Sequence, residues 1–251
     1  MNTQKTVTGD NIIGTIKSVG IDGTTLKWIA LVTMVIDHLA AVFLHSGLLC
    51  TVLRSIGRLS FPIFAFLIVQ GYMHTRNRNK YALRLLLFAI ISEIPYDLAF
   101  YNTFFVLRKQ NIFFTLLAGL VAIRIMDYIT NEMKFPDFIV DKGMVVMAQS
   151  AAEIAVILPM CFLAEKVNLC YSFAGILIIV LFYSLRDSKS GILWANVMFA
   201  LMYGGIQLFG IAAILPLYLY NNKPGDRRYK WLFYIFYPAH LLLFWGIRKL
   251  I

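Results

Sequence analysis

Residues 31–43 read LVTMVIDHLAAVF, an apolar run with an aspartate and a histidine, Asp37 and His38, at its centre. The apolar residues continue back to Lys27, which gives the length that an α-helix needs to cross about 30 Å of hydrocarbon. The run therefore predicts a membrane-spanning helix over 26–46. Its two ionisable residues require an explanation, because such groups are costly within a bilayer unless they are paired or hydrated.

The composition of the whole chain supports a membrane protein. Of its 251 residues, 60% are hydrophobic and 14% are charged, with a mean hydropathy of +0.73, which argues against an ordinary water-soluble domain. Apolar stretches recur along the sequence, so we predict an all-α transmembrane bundle of roughly eight to ten spans. The stretch YGGIQLFG at 203–210 leaves open whether 191–220 holds two short spans or a kinked re-entrant pair. The predicted spans are 26–46, 56–73, 81–101, 111–130, 143–164, 167–185, 191–206, 208–220 and 231–248.

The distribution of cations predicts the orientation. Residues 1–25 are polar and lack the apolar core of a cleaved signal peptide, so we expect a polar tail followed by one transmembrane domain over 26–251. With the N-terminus inside and nine spans, 16 of the 23 Lys and Arg residues face the cytoplasm, as expected in the inner or plasma membrane. Cytoplasmic loops that face anionic membrane lipids account for the net charge of +10, and no nucleic acid partner is expected.

The three cysteines, Cys50, Cys161 and Cys170, have neither metal-ligand spacing nor an evident framework of pairs. No metal site is predicted from them. An outward-facing disulfide between Cys161 and Cys170 is left open.

Asp37 and His38 point about 100° apart on a helix, so each is expected to meet a different partner. His38 follows Lys27 by 11 residues, or roughly 16 Å along the helix axis. If Lys27 marks the inner surface, His38 lies near the membrane midplane or just beyond it. An imidazole at this depth is a candidate general base for a hydroxyl or amine nucleophile.

Further polar residues of the predicted spans fall in the same outer half of the membrane. Two carboxylates, Glu93 and Asp97, lie one helical turn apart and repel each other, so we expect Arg58, His38 or Lys109 beside them, or a raised carboxyl pKa. Polar residues that lie at the same depth indicate a functional site. The alternative interpretation is that these residues form a hydrogen-bonded network that packs the helices together. The residues that converge are His38, Arg58, Glu93, Asp97, Asn111 and His240.

These residues favour group transfer over transport. Transfer needs a base and a cationic or amide group that stabilises an oxyanion, and His38 with Arg58 or Asn111 would supply them. A proton-coupled transporter needs titratable groups from face to face, and the inner halves of the spans hold only Gln70, Arg124 and Asp127. A transporter and a non-catalytic assembly factor for a surface protein remain the alternatives.

Four stretches closely resemble the TraX family of membrane proteins, named for the enzyme that acetylates the N-terminus of conjugative pilin. Polar residues recur in order across most of the chain. The stretches are LKWIALVTMVIDHLAAVF (26–43), IGRLSFPIFAFLIVQGYMHTRNRNKYALRLLLFAIISEIPYDLAF (56–100), NIFFTLLAGL (111–120) and YIFYPAHLLLF (234–244).

The resemblance implies a membrane-embedded acetyltransferase that uses cytoplasmic acetyl-CoA as donor substrate. The extracytoplasmic acceptor would be a peptide N-terminal amine on a protein, or a hydroxyl of a glycan or the cell envelope. Lys27 and His38 enclose ten residues, similar to the Arg/Lys-x10-His pattern of wider transmembrane acyltransferase families, in which the histidine is the catalytic base. A basic run after the second span resembles the motif that those enzymes place near acyl-CoA. The candidate CoA-binding residues are Lys27, Arg76, Arg78 and Arg84.

The candidate catalytic residues have separate expected roles. His38 is the base, and Asp37 or a carboxylate of the third span orients it. Arg58 and Asn111 stabilise charge, and His240 is a second active-site histidine. The full catalytic set is His38, Asp37, His240, Arg58, Glu93, Asp97 and Asn111.

Overall fold

A computed structural model of the chain describes residues 20–44, 46–133, 141–226 and 228–251. Over these ranges the regular secondary structure is helical, apart from an isolated parallel bridge between Ile21 and Tyr220. Residues 1–19 of the predicted tail lie outside the described residues. The helices are α1 (Gly23–Phe43), α2 (Leu48–Gly57), α3 (Ser60–His74), α4 (Arg78–Tyr101), α5 (Ile112–Asn131), α6 (Lys142–Lys166), α7 (Ser172–Ser184), α8 (Lys189–Tyr203), a 3-10 helix (Gly205–Ala213), α9 (Ile214–Tyr218) and α10 (Lys230–Leu250).

The chain passes back and forth between two ends of a helical bundle. Lys27, Arg76, Lys80, Arg84 and Lys230 gather at one of them, here called the basic end. From it run α1, α4, α6, α8 and α10, whereas α3, α5, α7 and the segment Gly205–Tyr218 return to it. The bundle and the order of its passes agree with the predicted succession of spans.

The first and last helices of the bundle run parallel. Trp28 packs against Phe233 at 5.2 Å between ring centroids, and Phe43 packs against Phe244 at 5.6 Å, so the contacts advance in the same direction along both helices. The beginning of α1 and the end of α10 therefore lie at opposite ends of the bundle, as the predicted topology requires of the first and last spans.

Six helices form a closed ring, in which each helix packs against the next. The order around the ring is α1, α10, α4, α5, α7 and α3, and α3 packs back against α1. Outside the ring, α6 lies against α5 and α7, while α8 packs on α7, and the 3-10 helix on α3 and α2. Because α3 also packs directly against α5, α7 lies behind these two helices, and the ring interior lies between α1, α3, α4, α5 and α10.

Within the described ranges, four helical segments are long and apolar enough to cross a membrane. They are Gly23–Phe43, Leu48–His74, Ile112–Asn131 and Lys142–Lys166. The helices α4 and α10 have 24 and 21 residues, but charged side chains lower their hydropathy.

The segment 191–220 consists of two short antiparallel passes, α8 and Gly205–Tyr218. They are joined at Gly204 and Gly205, whose φ angles of 68° and 54° suit glycine. The nine residues of the 3-10 helix rise about 2.0 Å each, so with the five residues of α9 this pass reaches roughly 26 Å. The 3-10 conformation thus lengthens a pass that would be shorter as an α-helix.

At the basic end, the chain before α1 is hydrogen-bonded to the segment that follows α9. Ile21 pairs with the segment after α9, through Ile21 N to Leu219 O at 2.9 Å and Asn221 N to Ile21 O at 3.0 Å. Asp22 caps α1 by accepting from Thr25 N at 2.8 Å, and this hydrogen bond lowers the pKa of Asp22. These contacts hold residues 219–226 beside the ring interior.

Candidate functional site

The two histidines of the predicted site, His38 of α1 and His240 of α10, are in direct contact. His38 Nδ1 lies 2.8 Å from His240 Nε2, and the two ring planes are parallel to within 2°. On its other side, His240 Nδ1 donates to the backbone carbonyl of Phe236 at 2.9 Å. His240 is buried, whereas His38 is only partly covered. Both residues were predicted, but their contact was not.

Aromatic rings surround the histidine pair. Phe100 of α4 and Tyr237 of α10 meet the His38 ring edge-on, at centroid distances of 5.3 and 6.0 Å. Phe244 lies 5.6 Å from the ring of His240, on the side away from the basic end. This packing restrains the orientation of both imidazoles and shields them from bulk water.

Asp37 is held by arginines and not by the adjacent histidine. Arg58 Nη2 donates to Asp37 Oδ1, and Arg54 Nε lies 3.2 Å from the same oxygen. Arg58 stands at the break between α2 and α3, where its Nη1 also donates to the hydroxyl of Tyr171 at 3.5 Å. The separate partners of Asp37 and His38 follow from the angle between adjacent positions on a helix.

Each carboxylate of α4 accepts from amide groups through one oxygen, and the expected cation is not beside it among the described residues. The second oxygens, Glu93 Oε1 and Asp97 Oδ1, are buried and have no hydrogen-bond partner among those residues. Glu93 accepts from the side-chain amide of Asn111 and from its backbone N at 3.3 Å. Asp97 accepts from Val106 N at 2.7 Å. Arg58 does not pair with Glu93 or Asp97 because its side chain points to α1, where it is hydrogen-bonded to Asp37.

Asn111 is the N-cap of α5 and is fully buried. Its Nδ2 donates to Ala89 O at 2.7 Å and to Glu93, and its Oδ1 accepts from Phe113 N at 3.0 Å. Its amide is thus engaged within the protein, so an oxyanion could use it only after these bonds rearrange. Through these hydrogen bonds Asn111 links α4 to α5.

A cavity of about 440 Å³ opens at the basic end, within the range typical of small-molecule sites. It is enclosed by α1, α3, α4, α5 and α10, together with the segment that precedes α10. Its mouth is rich in cations, and its inner part is apolar. The ionisable residues at the mouth are Lys27, His74, Arg76, Lys80, Arg84, Asp226 and Lys230, and the inner part includes Phe64, Phe113 and Leu116.

The structure separates the four predicted CoA-binding residues. Lys27, Arg76 and Arg84 line the cavity, but Arg78 does not. Instead, Arg78 Nη1 lies 2.5 Å from Asp127 Oδ2, on the outer side of α4. Arg78 was expected beside the phosphates of CoA together with Arg76 and Arg84, whereas its observed contact is with α5.

Two observations favour an anionic ligand in the cavity. The Nε atom of Arg84 is buried and has no hydrogen-bond partner among the described residues, so a donor is left for an acceptor inside the cavity. Asp226 does not offset the cations, because its Oδ2 is bonded to Arg228 Nε at 2.8 Å, and this bond lowers the pKa of Asp226. A phosphate or pyrophosphate group would fit this charge.

One aromatic layer separates the cavity from the histidine pair. Phe113, in the cavity wall, meets Tyr237 at a centroid distance of 5.2 Å. The ring of Tyr237 lies 5.7 Å from that of His240. The order from the basic end is thus basic mouth, apolar inner cavity, Tyr237 layer and imidazole pair.

Sequence comparison assigns the family. A family model described as TraX protein matches residues 22–248, nearly the whole chain. The chain belongs to the TraX family. The range shared with other TraX proteins includes every candidate residue from Lys27 to His240.

One curated relative is a probable fimbrial assembly protein, FimC of serogroup H1, from Dichelobacter nodosus. It is 27% identical, over 90% of this chain and 96% of the relative. None of the solved structures matches the chain.

Proposed function

We propose that this TraX-family protein is a membrane-embedded acetyltransferase that moves an acetyl group from cytoplasmic acetyl-CoA to an extracytoplasmic acceptor. The observation that carries the proposal is the alignment of the basic cavity with the histidine pair, one aromatic layer apart. Acetyl-CoA matches this arrangement, because its anionic head would lie at the basic mouth and its long, thin thioester arm would extend through the apolar inner cavity towards the histidine pair. The acceptor is a peptide amine or an envelope hydroxyl.

The cations at the mouth would bind the phosphates of CoA. Arg84 offers its unpaired Nε, and Lys27 lies across the cavity on α1, with its amine 5.6 Å from the ring of Phe233. The pantetheine arm would then follow the apolar wall towards Tyr237. This direction leads from the expected cytoplasmic side to the interior of the bundle.

His38 would act as the general base. Its Nε2 removes a proton from the amine or hydroxyl of the acceptor while the new C–N or C–O bond forms at the thioester carbon. The C–S bond then breaks, and the proton passes from His38 to the CoA thiolate, so CoA leaves as a thiol. A well-placed base of this kind contributes roughly 10²- to 10⁴-fold to the rate.

Arg58 and its neighbour Arg54 would provide positive charge in the outer half of the bundle. Because Arg58 is bonded to Asp37 and Tyr171, its orientation is fixed before a substrate arrives. A preorganised charge is more effective than one that must reorient during the reaction.

The name of the FimC relative favours a second candidate, a non-catalytic assembly factor for a surface protein. In that case the polar groups would serve packing, and the chain would neither bind nor cleave acetyl-CoA. A transporter would instead move a solute in a pH-dependent way.

Thermal unfolding of the purified protein in detergent, with and without acetyl-CoA, tests the proposal. A ligand at 100 times its Kd stabilises by about 2.7 kcal/mol. We expect this shift in the wild type and in His38→Ala, and a smaller shift in Lys27→Ala. At saturating acetyl-CoA, the wild type and Lys27→Ala should both release CoA thiol, whereas His38→Ala should not. No shift at millimolar acetyl-CoA would overturn the donor assignment and favour the assembly factor.

A further inference from the structure

The partners of the two histidines determine which ring nitrogen carries each proton. A backbone carbonyl can only accept, so the 2.9 Å contact with Phe236 O requires a proton on His240 Nδ1. A neutral imidazole carries one proton, which leaves a lone pair on His240 Nε2. The 2.8 Å contact with His38 then requires a proton on His38 Nδ1, and His38 Nε2 is left bare.

The ring geometry suits this hydrogen bond. The centroids are 5.1 Å apart, about as far as a 2.8 Å contact between ring nitrogens allows, and the planes differ by 2°. The two imidazoles therefore lie edge to edge in nearly one plane and not face to face. Ring N–H bonds and lone pairs lie in the ring plane, so donor and acceptor point directly at each other.

We propose that His240 is a positioning residue, which holds His38 in the Nδ1–H tautomer so that the bare Nε2 faces the reacting groups. The catalytic part of this inference rests on the proposed acetyl transfer, whereas the tautomer itself does not. In water a neutral histidine favours the other tautomer, with its proton on Nε2, and that form could not remove a proton through Nε2.

His240 would also assist the transfer step. When His38 Nε2 takes the acceptor proton, His38 becomes a cation, and its bond from Nδ1–H to His240 becomes charge-assisted and stronger. No proton needs to move to His240, because Nε2 of His38 later returns its proton to the CoA thiolate. The arrangement thus stabilises the imidazolium only while it exists.

Two substitutions at His240 separate its two hydrogen bonds. His240→Gln places an amide oxygen near the former Nε2 and can accept from His38. His240→Asn is shorter and places its amide near the former Nδ1, so it can bond Phe236 O but cannot reach His38. The two variants have the same chemical group and differ in which bond they keep.

The direct test is ¹⁵N and ¹³C NMR of protein labelled only in histidine. The chain has four histidines, so single substitutions assign the His38 signals. At a pH where the pair is neutral, we expect the Nδ1–H tautomer of His38 in the wild type and in His240→Gln. In His240→Asn we expect a shift towards the Nε2–H form. An Nε2–H tautomer in the wild type, or no change in His240→Asn, would overturn the proposal.

Kinetics add the catalytic readout. At saturating acetyl-CoA, His240→Asn should lower kcat for CoA release about 10²-fold or more with little change in KM, and His240→Gln should recover most of it. Equal losses in both variants would contradict the positioning role. If the wild type shows the expected tautomer but releases no CoA, the proposed function fails while the tautomer assignment stands.

Discussion

Gly57, at the end of α2, lies so close to Asp37 of α1 that a Cβ atom added to it would fall 2.2 Å from the Cβ of Asp37. Carbon atoms do not approach so closely, so a residue with a side chain requires α2 to move. The close approach brings the next residue, Arg58, onto the Asp37 carboxylate. The backbone at Gly57 is therefore part of how the charged pair forms.

The first prediction is that Gly57→Ala destabilises the protein. The methyl group would push α2 away from α1 and lengthen the Asp37–Arg58 contact, at a cost of about 1–3 kcal/mol. Thermal unfolding in detergent measures the loss. Gly246→Ala is the control, because an added Cβ there meets nothing within 4 Å. A similar loss of stability in both variants would contradict the prediction that the close contact between Gly57 and Asp37 causes the loss.

The second prediction concerns the two arginines that share Asp37. The side chain of Arg58 is 12% exposed and that of Arg54 is 35% exposed. Removal of one partner from a buried pair costs about 3–5 kcal/mol, so Arg58→Gln should approach this range and Arg54→Gln should cost much less. Denaturant unfolding measures both losses.

A double-mutant cycle provides the control for this prediction. Asp37→Asn combined with Arg58→Gln removes both buried charges, so the double variant should lose less stability than the sum of the single losses. Additive losses would mean that Asp37 and Arg58 are not energetically coupled.

Much of the fold follows from the sequence because the bilayer fixes the length of an apolar run. The order of passes and the different partners of Asp37 and His38 both follow from spacing along a helix. The contact between His38 and His240 could not be predicted, because 202 positions separate the residues. Only the packing of α10 against α1 brings them together.

Helical periodicity could have separated Arg78 from Arg84, although both were predicted to bind CoA. Six helical positions correspond to 600°, so the two side chains project 120° apart, whereas Lys80 and Arg84 differ by only 40°. The pattern thus contained the signal that Arg78 points away from the cavity. The position of Tyr237 between the cavity and the histidine pair could not be predicted in this way, because most aromatic residues in apolar spans only pack against neighbouring helices.

The third prediction uses these two arginines as a matched pair. Arg84→Ala removes a cavity cation with an unpaired donor and should weaken acetyl-CoA binding about tenfold or more, as loss of a charge-assisted hydrogen bond does. Arg78→Ala should lower thermal stability, because Asp127 loses its ion pair, but leave the Kd unchanged. Titration of both purified variants with acetyl-CoA measures the Kd. Equal weakening would place the donor elsewhere at the basic end.

The fourth prediction concerns the length of the acyl group. If the thioester passes the Tyr237 layer between Phe113 and His240, the phenol ring limits the space for the acyl chain. Tyr237→Ala should therefore admit longer chains. Two extra methylenes contribute about 0.8 kcal/mol each when buried, so the rate with butyryl-CoA relative to acetyl-CoA should rise roughly tenfold.

The measurement for this prediction is the ratio of CoA release from butyryl-CoA to that from acetyl-CoA. Phe244→Ala is the matched control, since Phe244 also contacts His240 but lies on the side away from the cavity. Its acyl preference should stay at the wild-type value, because the donor does not pass that ring. If the ratio is the same in both variants, the thioester reaches His38 by a route that avoids Tyr237, and the cavity and the histidine pair are not joined through this layer.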